Sequence, residues 1–132
     1  MYEFPVAQRP IVEIIERAHA RVYRDMSDLD VIQTVVRNLG RPTVARFTQT
    51  PDLKTISRWT LNRNVPKDDR LEKIRIAAVA YFALLDLGMN ETNAEQWFRG
   101  ANPTLGFTMP VDTLGAGRYT EFFDAVKSLG YR

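Results

Sequence analysis

The fold of this chain is decided by residues 94–106, AEQWFRGANPTLG. This stretch predicts a helix that carries the aromatic pair Trp97-Phe98 and ends at Gly100. The chain must then turn, because proline disfavours helical backbone at the residue before it, and Asn102-Pro103 follows directly. Pro110 predicts the start of a second short helix, since the N–H that proline lacks has no intrahelical partner in a first turn. The stretch therefore predicts a small helical module.

Helical periodicity continues through the rest of the chain. Apolar residues at three-and-four spacing predict helices from Pro10 to Tyr23, from Asp28 to Leu39 and from Gly117 to Leu129. Residues 70–87 are apolar nearly all round, which indicates a helix at the centre of the fold. No strand pattern is longer than a few residues. We therefore expect an all-α protein.

Two short helices separated by a polar turn are predicted in the middle third of the chain. The first begins at Pro42 and breaks at residues 48–50. We expect Thr50 to cap the second, with Pro51 at its first position and its end at Asn62. Such a pair is a helix-turn-helix candidate, although its turn contains no glycine.

The domain organisation follows from these elements. Residues 1–66 are predicted to hold the N-terminal helices and the helix-turn-helix region. The long central helix then joins this half to a small C-terminal helical module, within residues 67–132.

The second helix of the pair has a polar face that suits DNA. We expect Leu53, Ile56, Trp59 and Thr60 to face the core. On the other side, arginine can bind a guanine edge, asparagine an adenine edge, and threonine can offer a hydroxyl or a methyl group. The predicted base-reading residues are Thr55, Arg58 and Asn62, with Lys54, Ser57 and Leu61 beside them. The predicted phosphate contacts are Arg46, Arg63 and Lys67, together with Lys54.

Positive charge is concentrated in the same region. The formal net charge is only +2, but residues 37–75 contain ten basic and four acidic side chains. Each flanking part of the chain contains four basic and six acidic side chains. This distribution favours a polyanionic partner at the middle third. The alternative is an ordinary solvated helical surface.

The chain is poor in catalytic and metal-binding chemistry. It has no cysteine and one histidine, His19. Gly115-Ala116-Gly117 lacks the further glycine and the lysine of a phosphate-binding loop. We therefore expect no enzyme activity, metal or cofactor. The longest apolar run, residues 76–85, is too short to cross a membrane, and the N-terminus lacks a signal-peptide pattern, so we expect a cytoplasmic protein.

The combined pattern resembles a family of antitoxins. Trp97-Phe98, Asn102-Pro103, Leu105-Gly106, Pro110, Leu114 and Gly117, followed by an amphipathic helix, resemble the C-terminal toxin-binding domain of the ParS/MbcA/Xre antitoxins. Trp59, Pro66, Arg70-Leu71 and Ala77 are similar to the helix-turn-helix half of those proteins. The resemblance implies an antitoxin that captures a RES-domain toxin, an enzyme that destroys NAD, and that autoregulates its operon by binding operator DNA. A homodimer is expected, because helix-turn-helix proteins usually read two half-sites.

The resemblance also implies that the C-terminal end blocks the substrate pocket of the toxin. We expect Gly130 to free the last residues from the helix, so that Tyr131 and Arg132 can enter that pocket. A guanidinium and a carboxylate could compete there for groups that bind a phosphorylated dinucleotide. A frayed tail is the alternative. Trp97, Asn102 and Pro103 belong to the predicted toxin-binding region, although core packing and turn formation account for them better than direct toxin contact does.

Two other functions fit the same residues. The first is a stand-alone transcriptional regulator whose C-terminal half only dimerises. The second is a protein-binding adaptor without DNA activity. A neighbouring gene that encodes a RES-like enzyme would favour the antitoxin.

Overall fold

Helices account for most of the chain that the structure describes. The structure is a computed structural model, and it describes residues 9–131. These residues form eight α-helices and no strand, which confirms the predicted all-α class. The helices are α1 Arg9–Ala20, α2 Asp28–Leu39, α3 Arg41–Thr48, α4 Leu53–Thr60, α5 Asp69–Asp86, α6 Glu91–Arg99, α7 Pro110–Gly115 and α8 Tyr119–Lys127. A π-helical segment, Arg21–Asp25, extends α1, and 3-10 turns lie at Pro103–Leu105 and Ser128–Tyr131.

The helix α5 lies at the centre of the fold, as predicted. Eleven of its 18 residues are buried, and α1, α2, α3, α6, α7 and α8 all pack against it. Alanines at positions 77, 78, 80 and 83 are buried among them. Their small side chains let neighbouring helices approach the α5 backbone closely, so one helix can serve several partners.

The hydrophobic core runs through both halves of the chain without a break. Buried side chains from Ile11 in α1 to Val126 in α8 belong to one cluster. The helix α5 contributes residues from Ile74 to Leu84 to this cluster. The predicted division at residue 66 therefore does not separate two hydrophobic cores, and it stays a prediction about where the two functions lie.

The two halves also meet directly where α3 packs against α7. A Cβ atom added at Gly115 would lie 3.3 Å from the Cα of Phe47, so glycine allows this close approach. The carbonyl oxygen of Gly115 accepts a hydrogen bond from the Nζ of Lys73, at 2.9 Å. Lys73 is buried and also pairs with Asp69 at 3.3 Å. Arg46 of α3 also forms two hydrogen bonds with Asp112 of α7, at 2.7 and 2.9 Å.

The described helices include none that is both long and apolar enough to span a lipid bilayer.

Candidate functional site

The turn between α3 and α4 spans residues 49–52. Gln49 adopts the left-handed conformation, with φ 57° and ψ 40°, which glycine often provides at the end of a helix. Gln49 thus takes the left-handed position that ends α3, so the turn does not need a glycine. The prediction that Thr50 caps α4 and that Pro51 begins it is wrong. Thr50 is buried and its hydroxyl accepts a hydrogen bond from Thr48, whereas the carboxylate of Asp52 accepts the hydrogen bond from the Lys54 N–H that caps the helix.

The buried side of α4 is narrower than the sequence suggests. Ile56 and Trp59 are buried, as predicted. Leu53, which was expected to face the core, is 36% exposed, and Thr60 is half-buried. Two residues at helical spacing are thus enough to fix this eight-residue helix on the core, and the rest of its circumference faces outward.

The exposed side of α4 is centred on residues opposite Ile56 and Trp59. Successive residues of a helix are rotated by about 100°, which places Lys54 and Leu61 at that centre. Both are exposed, and so is Arg58 next to them. Thr55 lies at the edge of the face and is half-buried.

The predicted extension of α4 to Asn62 is wrong, and Asn62 therefore does not belong to this helical face. The helix ends at Thr60, and Asn62 has φ 59°. Its N–H bonds to the carbonyl of Trp59, and the N–H of Arg63 bonds to the carbonyl of Arg58, which together make a Schellman motif. Asparagine tolerates the left-handed position of this motif, so Asn62 ends the helix. The asparagine itself was the available signal in the sequence.

Internal ion pairs neutralise part of the positive charge of residues 37–75. Four of the ten basic side chains there pair with acids: Arg46 with Asp112, Arg70 with Asp68, Lys73 with Asp69, and Arg75 with Asp28. The hydrogen bond from Arg70 also holds the pKa of Asp68 below its usual value. Arg46, a predicted phosphate contact, is therefore already engaged with Asp112.

The remaining cations are concentrated on α4 and the loop that follows it. Lys54, Arg58, Arg63 and Lys67 are exposed, and none forms an ion pair within residues 9–131. These four side chains, with the exposed side of α4, are called the basic face below. Such a face can contact phosphates along a nucleic acid.

Arg41 is a further cation beside the basic face, and the sequence analysis did not predict it as a contact. Its Nη1 donates a hydrogen bond to the Oγ of Ser57, at 2.9 Å. The Ser57 hydroxyl in turn donates to the carbonyl of Leu53, at 3.3 Å. Ser57, a predicted DNA contact, is thus occupied by internal hydrogen bonds and places the Arg41 guanidinium next to α4. The local charge count included Arg41, but its contact with a residue 16 positions away depends on the fold.

In the C-terminal module, Trp97 is half-buried and belongs to an aromatic cluster. Its ring lies edge-on to Phe98 and Phe122, at 5.3 and 5.7 Å between centroids. Its Nε1 is buried and finds no acceptor in the described part of the chain. Most of the ring therefore stabilises the packing of α6 against α8.

Asn102 closes a tight loop before α7. Its side chain accepts a hydrogen bond from the N–H of Thr104, at 2.9 Å, and its carbonyl accepts from the N–H of Phe107, at 2.8 Å. Its own N–H donates to the carbonyl of Thr108. Pro103 is exposed at the start of the 3-10 turn. The loop presents Phe107, which is 69% exposed.

The final α-helix ends at Lys127 and not at Gly130 as expected, and the role of Gly130 in freeing Tyr131 and Arg132 stays a prediction. Gly130 lies in the 3-10 turn Ser128–Tyr131, and a Cβ atom there would come within 2.7 Å of Ile11. Its lack of a side chain lets this turn pack on α1. The side chain of Tyr131 and the whole of Arg132 lie outside the described residues.

Residues 9–131 hold no cluster of three or more histidine or acidic side chains arranged for a metal ion. His19 is exposed and stacks on Tyr23, with 4.2 Å between ring centroids.

Comparisons of this chain with family models, with curated proteins and with solved structures find no match. The resemblance to the antitoxin family therefore depends on the sequence motifs alone.

Proposed function

We propose that this protein is an antitoxin that binds operator DNA through its basic face and inhibits a RES-domain toxin through its C-terminal module. On this proposal, α3 and α4 form the helix-turn-helix, a homodimer reads two half-sites, and the protein acts in the cytoplasm. The observation that carries the DNA-binding part is the basic face itself, whose four exposed cations form no ion pair with any other side chain of residues 9–131. The toxin-binding part is supported by the motif resemblance.

The proposal divides the cations of the basic face into two roles. Arg58 is exposed in the last turn of α4 and is the candidate base contact, whereas Lys67 lies in the loop and is a candidate phosphate contact. Base contacts carry sequence preference, and phosphate contacts carry affinity that falls with salt. Substitutions at the two positions should therefore have different effects.

A mobility-shift assay tests this division, with the duplex upstream of the protein's own gene and with scrambled duplexes. Arg58→Ala is expected to weaken specific binding by about 1–3 kcal/mol and to relax the preference at one base pair. Lys67→Ala is expected to weaken binding to all duplexes and to reduce the slope of log affinity against log salt by about one. Lys127→Ala, which removes an exposed lysine of α8, is the matched control and should change neither.

Unchanged specificity in Arg58→Ala would remove Arg58 as the base contact. A wild-type protein that binds none of the duplexes at low salt would refute the DNA-binding function and favour an adaptor.

Co-expression with a RES-like enzyme from a neighbouring gene tests the toxin-binding part. The full chain is expected to restore growth and cellular NAD and to co-purify with the enzyme. A variant without Tyr131 and Arg132 should still form the complex but lose inhibition, because only the pocket contact is removed. Inhibition that survives this deletion contradicts the blocking role of the tail. DNA binding without any complex would favour the stand-alone regulator.

A further inference from the structure

Leu61 is exposed at the centre of a basic surface, where a leucine gains little from burial in the fold. It is the C-cap residue of α4, and it is 64% exposed. Its backbone N–H bonds to the carbonyl of Arg58, so the helical path of α4 continues to this residue. By helical rotation it lies in line with Lys54, two turns further along, at the middle of the exposed side and opposite Ile56 and Trp59.

The charges around Leu61 identify the partner that would cover it. Lys54 and Arg58 lie on the same side of α4, and Arg63 follows two residues later; none has an ion-pair partner within residues 9–131. A partner that covers Leu61 must therefore offer negative charge around a small apolar contact. The major groove of DNA has this combination, because phosphates line its edges and the C5-methyl group of thymine projects into it.

We propose that Leu61 contacts the C5-methyl group of a thymine and thereby determines specificity at one base pair. This inference rests on the proposed DNA binding and adds to it a residue that reads sequence by apolar contact. It also replaces the base-reading role expected of Asn62, which turns away from the helical path at the next position. The recognised feature is one methyl group, which can be removed from the DNA without any other change.

Deoxyuridine substitution provides the test, since deoxyuridine differs from thymidine only by that methyl group. Each thymine of a duplex bound by the wild-type protein is replaced in turn, and dissociation constants are measured. At one position the wild-type protein is expected to bind about fourfold more weakly, as for the loss of one buried methyl group. Leu61→Ala is expected to bind the thymine duplex more weakly and to show no further loss at that position.

Leu53→Ala is the matched control, because it shortens the other partly exposed leucine of α4. It should keep the wild-type sensitivity to deoxyuridine at the critical position. Circular dichroism and sedimentation are expected to match between wild type and Leu61→Ala, since the side chain lies at the surface.

The possible failures are distinguishable. Specific DNA binding with no sensitive thymine, or with the same sensitivity in Leu61→Ala, overturns the role of Leu61 and leaves the proposed function intact. A change of oligomeric mass in Leu61→Ala would instead make Leu61 a contact between copies of the chain, and overturns the inference. The absence of binding to any duplex overturns the proposed DNA binding together with it.

Discussion

At the scale of single residues, the positions with left-handed backbone differ in how well the residue present accommodates that conformation. Within residues 9–131, four residues other than glycine have positive φ: Gln49, Asn62, Asn64 and Phe107. Asparagine accommodates this conformation well, and Asn62 and Asn64 flank the exposed Arg63. Phe107, with φ 68°, is the costly member of the set, because a bulky side chain crowds the backbone there.

Phe107→Asn is expected to raise the free energy of unfolding by about 1 kcal/mol, because asparagine removes much of the left-handed penalty. Little burial is lost, since Phe107 is 69% exposed. Urea denaturation measures the change. Phe107→Ala is the control: it removes the ring but keeps a residue that disfavours positive φ, so no comparable gain is expected. Equal stability of the two variants would contradict backbone strain at this position.

At the scale of elements, the existence of each helix was easier to predict than its ends. Thr50-Pro51 has the composition of a helix start, but Asp52 caps α4 because Thr50 is already buried in a hydrogen bond with Thr48. The final helix was expected to extend from Gly117 to Leu129, yet α8 covers only Tyr119–Lys127. Beyond it, contact with Ile11 favours a tight 3-10 turn at Gly130. Such ends depend on contacts distant in sequence, which periodicity does not contain.

The contact between α3 and α7 gives a prediction for Gly115→Ala. In a helix, alanine is ordinarily more favourable than glycine by about 1 kcal/mol. Here the new Cβ would lie 3.3 Å from the Cα and 3.4 Å from the carbonyl oxygen of Phe47, and backbone atoms cannot rotate away. Overpacking of this kind costs about 1–3 kcal/mol, so we expect a net loss of stability and a lower Tm.

Gly100→Ala is the matched control for this contact. A Cβ at Gly100 would have its nearest neighbour at 3.5 Å, an ordinary contact, and the backbone φ of −91° suits alanine. Its effect on the free energy of unfolding is expected to stay within about 0.5 kcal/mol. A Gly115→Ala protein as stable as wild type would mean that α3 and α7 separate easily.

At the scale of the whole molecule, the sequence predicted the architecture better than the site. The central place of α5 followed from its apolar circumference, and the all-α class from the periodicity of Ile, Leu and Val. The concentration of basic residues in the middle third was also visible, but the sequence did not show which of them form internal ion pairs and hydrogen bonds. The partners of Arg46 and Lys73 lie 66 and 42 residues away along the chain, at Asp112 and Gly115. Only the tertiary fold separates these internally bound cations from those of the basic face.

The positions of the two tryptophans, one in each half of the chain, have a practical consequence. Trp59 anchors α4 beneath the basic face, and Trp97 lies in the aromatic cluster of the C-terminal module. They are the only tryptophans in the sequence. With either one replaced by phenylalanine, the tryptophan fluorescence, excited selectively over that of the five tyrosines, comes from the other half alone. The chain therefore carries its own optical reporter for each proposed binding surface, and titrations with DNA or with a toxin can be followed separately without an added dye.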